Sequence, residues 1–99
     1  MMSYVRVVMV DAKTLEGRDD LFKTVSSRAG EIFPEIQQML AMPTSETTAL
    51  SISIYKDKAA ADRAVSQRDE ELDNKGYEIE IAFEGPLKGY YRKDIISAV

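Results

Sequence analysis

Three side chains that carry much of protein chemistry are missing, because the 99 residues include no cysteine, no histidine and no tryptophan. Without cysteine there is no disulfide and no thiolate nucleophile. Without histidine the chain lacks the usual proton carrier near neutral pH, the commonest zinc ligand and the usual haem ligand. We therefore expect no metal site and no cofactor.

Positive charge and long apolar runs are also scarce. The sequence has 13 Lys and Arg residues and 17 Asp and Glu residues. The resulting net charge of −4 argues against binding of nucleic acid, because proteins that bind it present a basic face. No apolar run approaches the roughly 20 residues of a membrane helix. The first residues lack the basic-then-apolar order of a signal peptide. We expect a cytoplasmic protein that binds neither nucleic acid nor membrane.

The remaining composition is that of an ordinary globular domain. Hydrophobic residues make up 44% of the chain and charged residues 30%, which separates it from disordered chains. A chain of this length forms one core. The prediction is a single domain over residues 1–99.

Four segments have the features of β-strands: residues 4–11, 36–42, 47–56 and 77–83. In the third, Leu50, Ile52 and Ile54 alternate with polar residues, the period-two pattern of a strand with one apolar face. The first is rich in valine on both faces, which is typical of a strand covered on both sides. Prolines bound the second, which suits an edge strand.

Two segments have helical periodicity, and both carry boundary signals. The first helix is predicted over residues 18–33, after a loop closed by Gly17 and before Pro34, which forces the preceding residue out of helical geometry. The second is predicted over residues 57–75, with Asp57 as N-cap and Gly76 as the residue that ends it.

The order β-α-β-β-α-β predicts a ferredoxin-like α+β domain, with two helices on one face of a four-stranded antiparallel sheet. We expect the larger apolar residues of the strands to meet the helices, namely Leu50, Ile52, Ile54, Ile79, Ile81 and Phe83. The opposite face would then carry Arg6, Val8, Val10, Ser51, Ser53, Tyr55, Glu78 and Glu80. An antiparallel sheet can leave such a face in water, but we expect it to pair with that of a second copy in a homodimer. Within one chain, the fourth strand lies beside the first, so that Arg6 is expected to pair with Glu78 or Glu80 across the ladder.

Apolar residues, methionine among them because it adapts to irregular shapes, are predicted to line a pocket for a hydrophobic or aromatic small molecule. Its expected lining comprises Met9, Phe22, Leu50, Ile52, Ile54, Val65, Tyr77 and Ile79. Tyr55 and Arg68 are the candidate catalytic residues, since a phenol can orient or protonate a substrate oxygen and a guanidinium can stabilise an anion. The alternatives are a tyrosine packed in an interface and an arginine paired with a nearby carboxylate.

Several segments together resemble one known family. The Phe-Pro end of the first helix, the strand T-x-x-L-S-I-S-I-Y-K, the helix start D-K-A-A-A-D-R-A and the closing F-E-G-P are similar to antibiotic biosynthesis monooxygenase-like proteins. This resemblance covers residues 4–86. It implies a homodimeric α+β barrel with a pocket between sheet and helices in each subunit. It also implies either oxidation of polycyclic phenols by oxygen without a cofactor, or haem degradation.

The active residues of that family are mostly not matched here. Its haem-degrading members use Asn, Trp and His, whereas this chain has no Trp or His and its one Asn, Asn74, ends the second helix. The quinol-oxidising members use Tyr, Asn, Trp and Arg in the pocket, and in this chain only Tyr55, Arg68 and Tyr77 could take such parts, without a motif that matches any of them to a family position. Two hypotheses remain: a cofactor-independent monooxygenase-like protein acting on a planar phenolic or quinol-type molecule, and a non-enzymatic small-molecule-binding or stress-associated dimer.

Overall fold

The structure, a computed structural model that describes residues 3–93, has the order β-α-β-β-α-β. Its elements are β1 (Tyr4–Asp11), α1 (Leu15–Ile32), β2 (Ile36–Pro43), β3 (Thr48–Tyr55), α2 (Lys58–Lys75) and β4 (Glu78–Pro86). The strands form one antiparallel sheet in the order β2-β3-β1-β4. This confirms the predicted ferredoxin-like architecture, including the position of β2 at an edge.

Helix α1 begins at Leu15, three residues before the predicted start, because Thr14 caps it. The Thr14 Oγ1 accepts a hydrogen bond from the Gly17 backbone N–H at 2.9 Å, which satisfies one free donor of the first turn. Gly17 therefore lies inside the helix and not in the loop. A Cβ at this position would lie 2.6 Å from the Ala12 carbonyl oxygen, so glycine allows the helix to start against the end of β1.

The boundary signals of α2 are confirmed. The Asp57 Oδ1 accepts a hydrogen bond from the Ala60 N–H at 2.8 Å, and Gly76 ends the helix in the left-handed conformation with φ of 73°. A left-handed C-terminal residue is favourable for glycine because it has no Cβ to clash.

The sheet turns the opposite face to the helices from the one predicted. Val8, Val10 and Tyr55 are buried against α1 and α2, and Ser53 lies on the same face with 9% of its surface exposed. The large aliphatic residues Leu50, Ile52 and Ile54 alternate with these and point away from the helices. The prediction was wrong because it assigned the large aliphatic side chains of β3 to the helices, whereas the alanines of α2 pack against Tyr55 on the other face.

A β-bulge divides β4 between the two faces. The register with β1 shifts between Met9 and Val10, so that Val10 pairs with Ile79 and Met9 pairs with Ile81. The extra residue leaves Ile79 on the helix side, as predicted, and turns Ile81 and Phe83 to the opposite side. A period-two pattern cannot reveal an inserted residue, which explains the error for these two positions.

The open face of the sheet is therefore rich in exposed apolar surface. Four of its residues lie on β2 and β4, and their exposed fractions are 48% for Leu40, 54% for Met42, 43% for Ile81 and 67% for Phe83. Contiguous apolar surface of this kind marks an interaction site more often than a free protein surface.

Candidate functional site

A cavity lies between the sheet and the helices because the sheet offers small side chains there. Ala49, Ser51 and Ser53 of β3, Ala41 of β2 and Ala64 of α2 all line it. Side chains of this size do not fill the space between layers, and the remaining cavity has a volume of about 90 Å³. Apart from its polar groups, the lining is aliphatic and aromatic, from Val8, Val10, Leu21, Phe22, Val25, Ala29, Ile32, Phe33, Met39 and Leu72.

Helix α1 forms the less firmly held wall of this cavity. None of its residues is fully buried, although Leu21, Phe22 and Val25 turn toward the sheet. Helix α2, in contrast, buries Ala60, Ala61, Ala64 and Leu72. Since an apolar cavity of about 150 Å³ is known to admit benzene, even a single aromatic ring requires this wall to move outward.

Arg6 forms part of the lining, and its guanidinium makes hydrogen bonds to three partners. Its guanidinium donates to the Ala61 carbonyl, to Asp62 Oδ1 at 2.9 Å and to Glu84 Oε1 at 3.3 Å. The predicted partners Glu78 and Glu80 are wrong, because the antiparallel register places Glu84 opposite Arg6. Through these three hydrogen bonds, Arg6 ties the first turns of α2 to the sheet.

Tyr55 lies at the same end of the cavity, with 3% of its surface exposed. Burial raises the pKa of its hydroxyl above the ordinary value of 10.0, while Arg6, Ser53 and Arg68 act in the opposite direction. The phenol therefore stays protonated at neutral pH and acts as a hydrogen-bond donor or acceptor toward the cavity.

Arg68 lines the cavity from α2, one helical turn beyond Ala64. Its Nε donates to Asp69 Oδ1 at 3.1 Å, and a quarter of its side chain is exposed. Because this partner is half exposed and adjacent in sequence, the contact adds little to stability. The guanidinium is thus the more available of the two arginines that line the cavity.

A cluster of polar side chains lies beside the cavity where α1 and α2 meet. Lys75 donates to Asp20 Oδ2 at 2.7 Å and to Thr24 Oγ1 at 3.4 Å, which joins the two helices. Burial opposes the charge of Lys75, but its contacts with Asp20 and Glu71 outweigh that effect and raise its pKa. Thr24 and Glu71 are the members of this group that reach the cavity.

The structure brings three of the sequence-predicted site residues, Phe22, Tyr55 and Arg68, to one cavity. Met9, Leu50, Ile52 and Ile54 lie on the other face of the sheet, for the reason given above, and do not line it. The other three expected residues are nearby but outside the lining. Of these, Tyr77 and Ile79 pack against Val8, Val10 and Leu72, and Val65 is half-buried on α2.

Other lining residues were not proposed from the sequence as part of a site. The serines and alanines of β2 and β3 carry no motif, although a run of small residues on one strand face opposite an alanine-rich helix does signal unfilled space. Glu71 was not identified because it belongs to an acidic run that is typical of a solvated helix face. Helical spacing was the available signal, since Glu71 is seven residues after Ala64 and three after Arg68 on the inward side of the helix.

Within residues 3–93, no cluster of three or more acidic side chains is arranged to hold a metal ion. Neither helix of that part of the chain is long and apolar enough to cross a membrane.

Comparison with known proteins gives similarity in structure but not in sequence. No family model matches the chain, and no curated protein matches it. Among solved structures, a putative antibiotic biosynthesis monooxygenase from Chloroflexus aurantiacus is 12% identical, with a TM-score of 0.68 over 91% of this chain and 97% of the other.

Two further structures show the same similarity. A dimeric ferredoxin-like protein from an uncultured marine organism is 10% identical, with a TM-score of 0.65 over 92% of this chain and 99% of the other. A monooxygenase from Streptomyces coelicolor in complex with nanaomycin D is 11% identical, with a TM-score of 0.65 over 94% of each chain. The chain therefore has the ferredoxin-like fold of antibiotic biosynthesis monooxygenase-like proteins, and at this identity the likeness is one of fold.

Proposed function

We propose that the protein is a cofactor-independent, monooxygenase-like protein that binds a planar phenolic or quinol-type molecule between its sheet and helices. The observation that carries this is an apolar cavity with a buried phenol, Tyr55, and an available guanidinium, Arg68, in its lining. Apolar walls with a few convergent polar groups are typical of small-molecule sites. The structural neighbour that holds nanaomycin D has the same fold and adds support.

The proposed chemistry needs no resident cofactor, because the substrate itself supplies the electrons. With an anthrone, one oxygen atom of O₂ becomes the second carbonyl of the quinone. The other oxygen atom leaves as water with the two hydrogens lost from the ring carbon. Tyr55 would hold the existing substrate oxygen by a hydrogen bond, and Arg68 would stabilise the negative charge that develops on it.

Oxygen uptake tests this proposal. We expect uptake with quinols ranging from hydroquinone to an anthrone, and a loss of about 10- to 100-fold in the variants Tyr55→Phe and Arg68→Met. Arg63→Met is the matched control, because Arg63 lies on the same helix and pairs with Glu35 outside the cavity. Absence of uptake by the wild type with every quinol would refute the enzymatic proposal.

A non-enzymatic binding protein is the second candidate, and the chemistry of the lining favours it. With no histidine in the sequence, the usual general base is missing, and the cavity wall is mostly hydrocarbon. Saturable binding of the same quinols without oxygen uptake would support this candidate.

We also propose that the open face of the sheet is the interface of a homodimer. The exposed Leu40, Met42, Ile81 and Phe83 support this, as does the fold shared with a dimeric ferredoxin-like protein. Burying such residues against a second copy removes apolar surface from water, at about 25 cal/mol per Å². The paired face is then the aliphatic one, opposite to the face expected from the sequence.

Native mass spectrometry of Phe83→Glu tests the interface. We expect a dimer for the wild type and a monomer for the variant, because a charge at a residue that is 67% exposed in the single chain would be buried in the dimer. Leu15→Glu is the control, since Leu15 is also exposed but begins α1, away from this face. A dimeric Phe83→Glu variant would contradict the proposed interface.

A further inference from the structure

The Glu71 carboxylate has an unmet hydrogen-bonding requirement at the cavity. Among the side chains of residues 3–93, its Oε2 is the one buried nitrogen or oxygen atom without a hydrogen-bond partner. Glu71 is also part of the cavity lining, and its side chain is 22% exposed. Buried polar atoms are nearly always hydrogen-bonded, so an exception next to a cavity indicates a role for that atom.

The nearest cation does not remove this requirement. The Lys75 Nζ lies 3.3 Å from Glu71 Oε2, close enough to balance its charge, but the direction is not that of a hydrogen bond. Lys75 donates instead to Asp20 Oδ2 at 2.7 Å. Arg68, one turn earlier on the same helix, donates through Nε to Asp69 and not to Glu71. Glu71 Oε2 therefore lies beside a positive charge without accepting a well-directed hydrogen bond.

The polar side chains of the cavity thus differ in whether they donate or accept hydrogen bonds. Arg68 offers N–H donors and Tyr55 a hydroxyl, whereas Glu71 offers only an acceptor. Arg68 and Glu71 are three residues apart on one helix, a rise of about 4.5 Å along its axis. A flat molecule with a carbonyl at one end and a hydroxyl at the other would meet a donor and an acceptor together.

We propose that Glu71 accepts a hydrogen bond from a hydroxyl group of the molecule in the cavity and so selects free phenols over their ethers. This inference rests on the proposed function, because it names the recognition group of the same site. A site that hydrogen-bonds a hydroxyl discriminates strongly against an analogue that cannot donate, since its own polar group then stays unpaired. Glu71 is a binding residue here, and no proton transfer is assigned to it.

Calorimetric titration with 4-hydroxyacetophenone and 4-methoxyacetophenone tests this proposal. The two probes share the ring and the carbonyl, and they differ in the hydroxyl that donates. We expect the wild type to bind the hydroxyl compound about 10- to 100-fold more tightly, the range of one hydrogen bond to a charged group. Glu71→Met should bring the ratio of the two dissociation constants close to one.

Two further variants make the test specific. Glu70→Met is the matched control, because Glu70 is the adjacent carboxylate on α2, is exposed and does not line the cavity. It should keep the ratio of the wild type. Glu71→Gln keeps the shape and removes the charge, and an intermediate ratio is expected. It also provides the measurement if Glu71→Met fails to fold.

The outcomes separate this inference from the proposed function. If both probes bind the wild type equally, or if Glu71→Met and Glu71→Gln keep the full ratio, the role of Glu71 is refuted and the cavity remains a binding site. If neither probe binds, the proposed function fails and the inference fails with it. A loss of stability in Glu71→Met with an unchanged ratio would assign Glu71 to helix packing through Lys75 instead.

Discussion

Replacing Arg6 by methionine is the most direct test of how the sheet and α2 are joined. In the folded protein this guanidinium contacts the Ala61 carbonyl, Asp62 and Glu84, and 9% of its side chain is exposed. Methionine keeps much of the apolar length and removes all three donors. We therefore predict that this substitution, although outside the hydrophobic core, causes a large loss of stability.

The expected loss is about 2–3 kcal/mol in the free energy of unfolding. Breaking a buried ion pair costs about 3–5 kcal/mol when the remaining charge stays buried. Here the side chains of Asp62 and Glu84 are 48% and 43% exposed, so water replaces part of the hydrogen bonding that they lose. Hydrogen bonds to charged groups contribute about 1.5–3 kcal/mol, and the expected loss lies within this lower range.

Urea unfolding followed by circular dichroism measures this loss, at one protein concentration because a dimer's stability depends on it. We expect the midpoint to fall by about 1–2 M. Arg63→Met is the control, since Arg63 makes two hydrogen bonds to Glu35 but is 54% exposed, and it should cost no more than about 1 kcal/mol. If Arg6→Met costs no more than Arg63→Met, the anchoring role of Arg6 is wrong.

Two further predictions concern α1 and the end of β4. Gly17→Ala should destabilise by about 1–3 kcal/mol because its Cβ meets the backbone. Gly30→Ala, with open space around it, should stabilise by about 0.5–1 kcal/mol. The same sign for both in thermal unfolding would contradict this account. The hydrogen bond from the Tyr4 hydroxyl, followed by Arg6, lowers the pKa of Glu84 below its ordinary value of 4.5. That stabilisation is present above pH 4.5 and is lost as the pH falls through the folded pKa. The difference in urea midpoint between the wild type and Tyr4→Phe should therefore shrink in acid, and a constant difference would refute the link.

The order of elements was predictable because it depends on local signals. The Asp57 cap, the Gly76 ending and the alternation in β3 act over a few residues, and each appears in the structure near its predicted place. The start of α1 was less predictable, since a glycine inside a helix is unfavourable by propensity alone. It is accepted at Gly17 because the neighbouring backbone leaves no room for a side chain.

The site was predictable only in part, because its residues come from separate elements. Tyr55 and Arg68 were identified as candidates from their chemistry, and the fold brings them to one cavity. The role of Arg6 in holding α2 required the register between β1 and β4, which depends on pairing across almost the full length of the chain. To predict that Glu71 lines the cavity, one would have to know which side of α2 faces inward at that turn.

By itself, the sequence determined which residues form strands and helices, the order of those elements, and the exclusion of thiol and imidazole chemistry. Only the tertiary structure decided which face of the sheet meets the helices. Both faces of β1 are apolar, so hydrophobicity alone does not choose between them, and a bulge in β4 changes the face within one strand. On the face that meets the helices, the alanines of α2 pack against Tyr55, and Leu72 packs against Val8 and Val10. The small side chains of β3 on that face leave the cavity, and the aliphatic residues of the other face stay exposed.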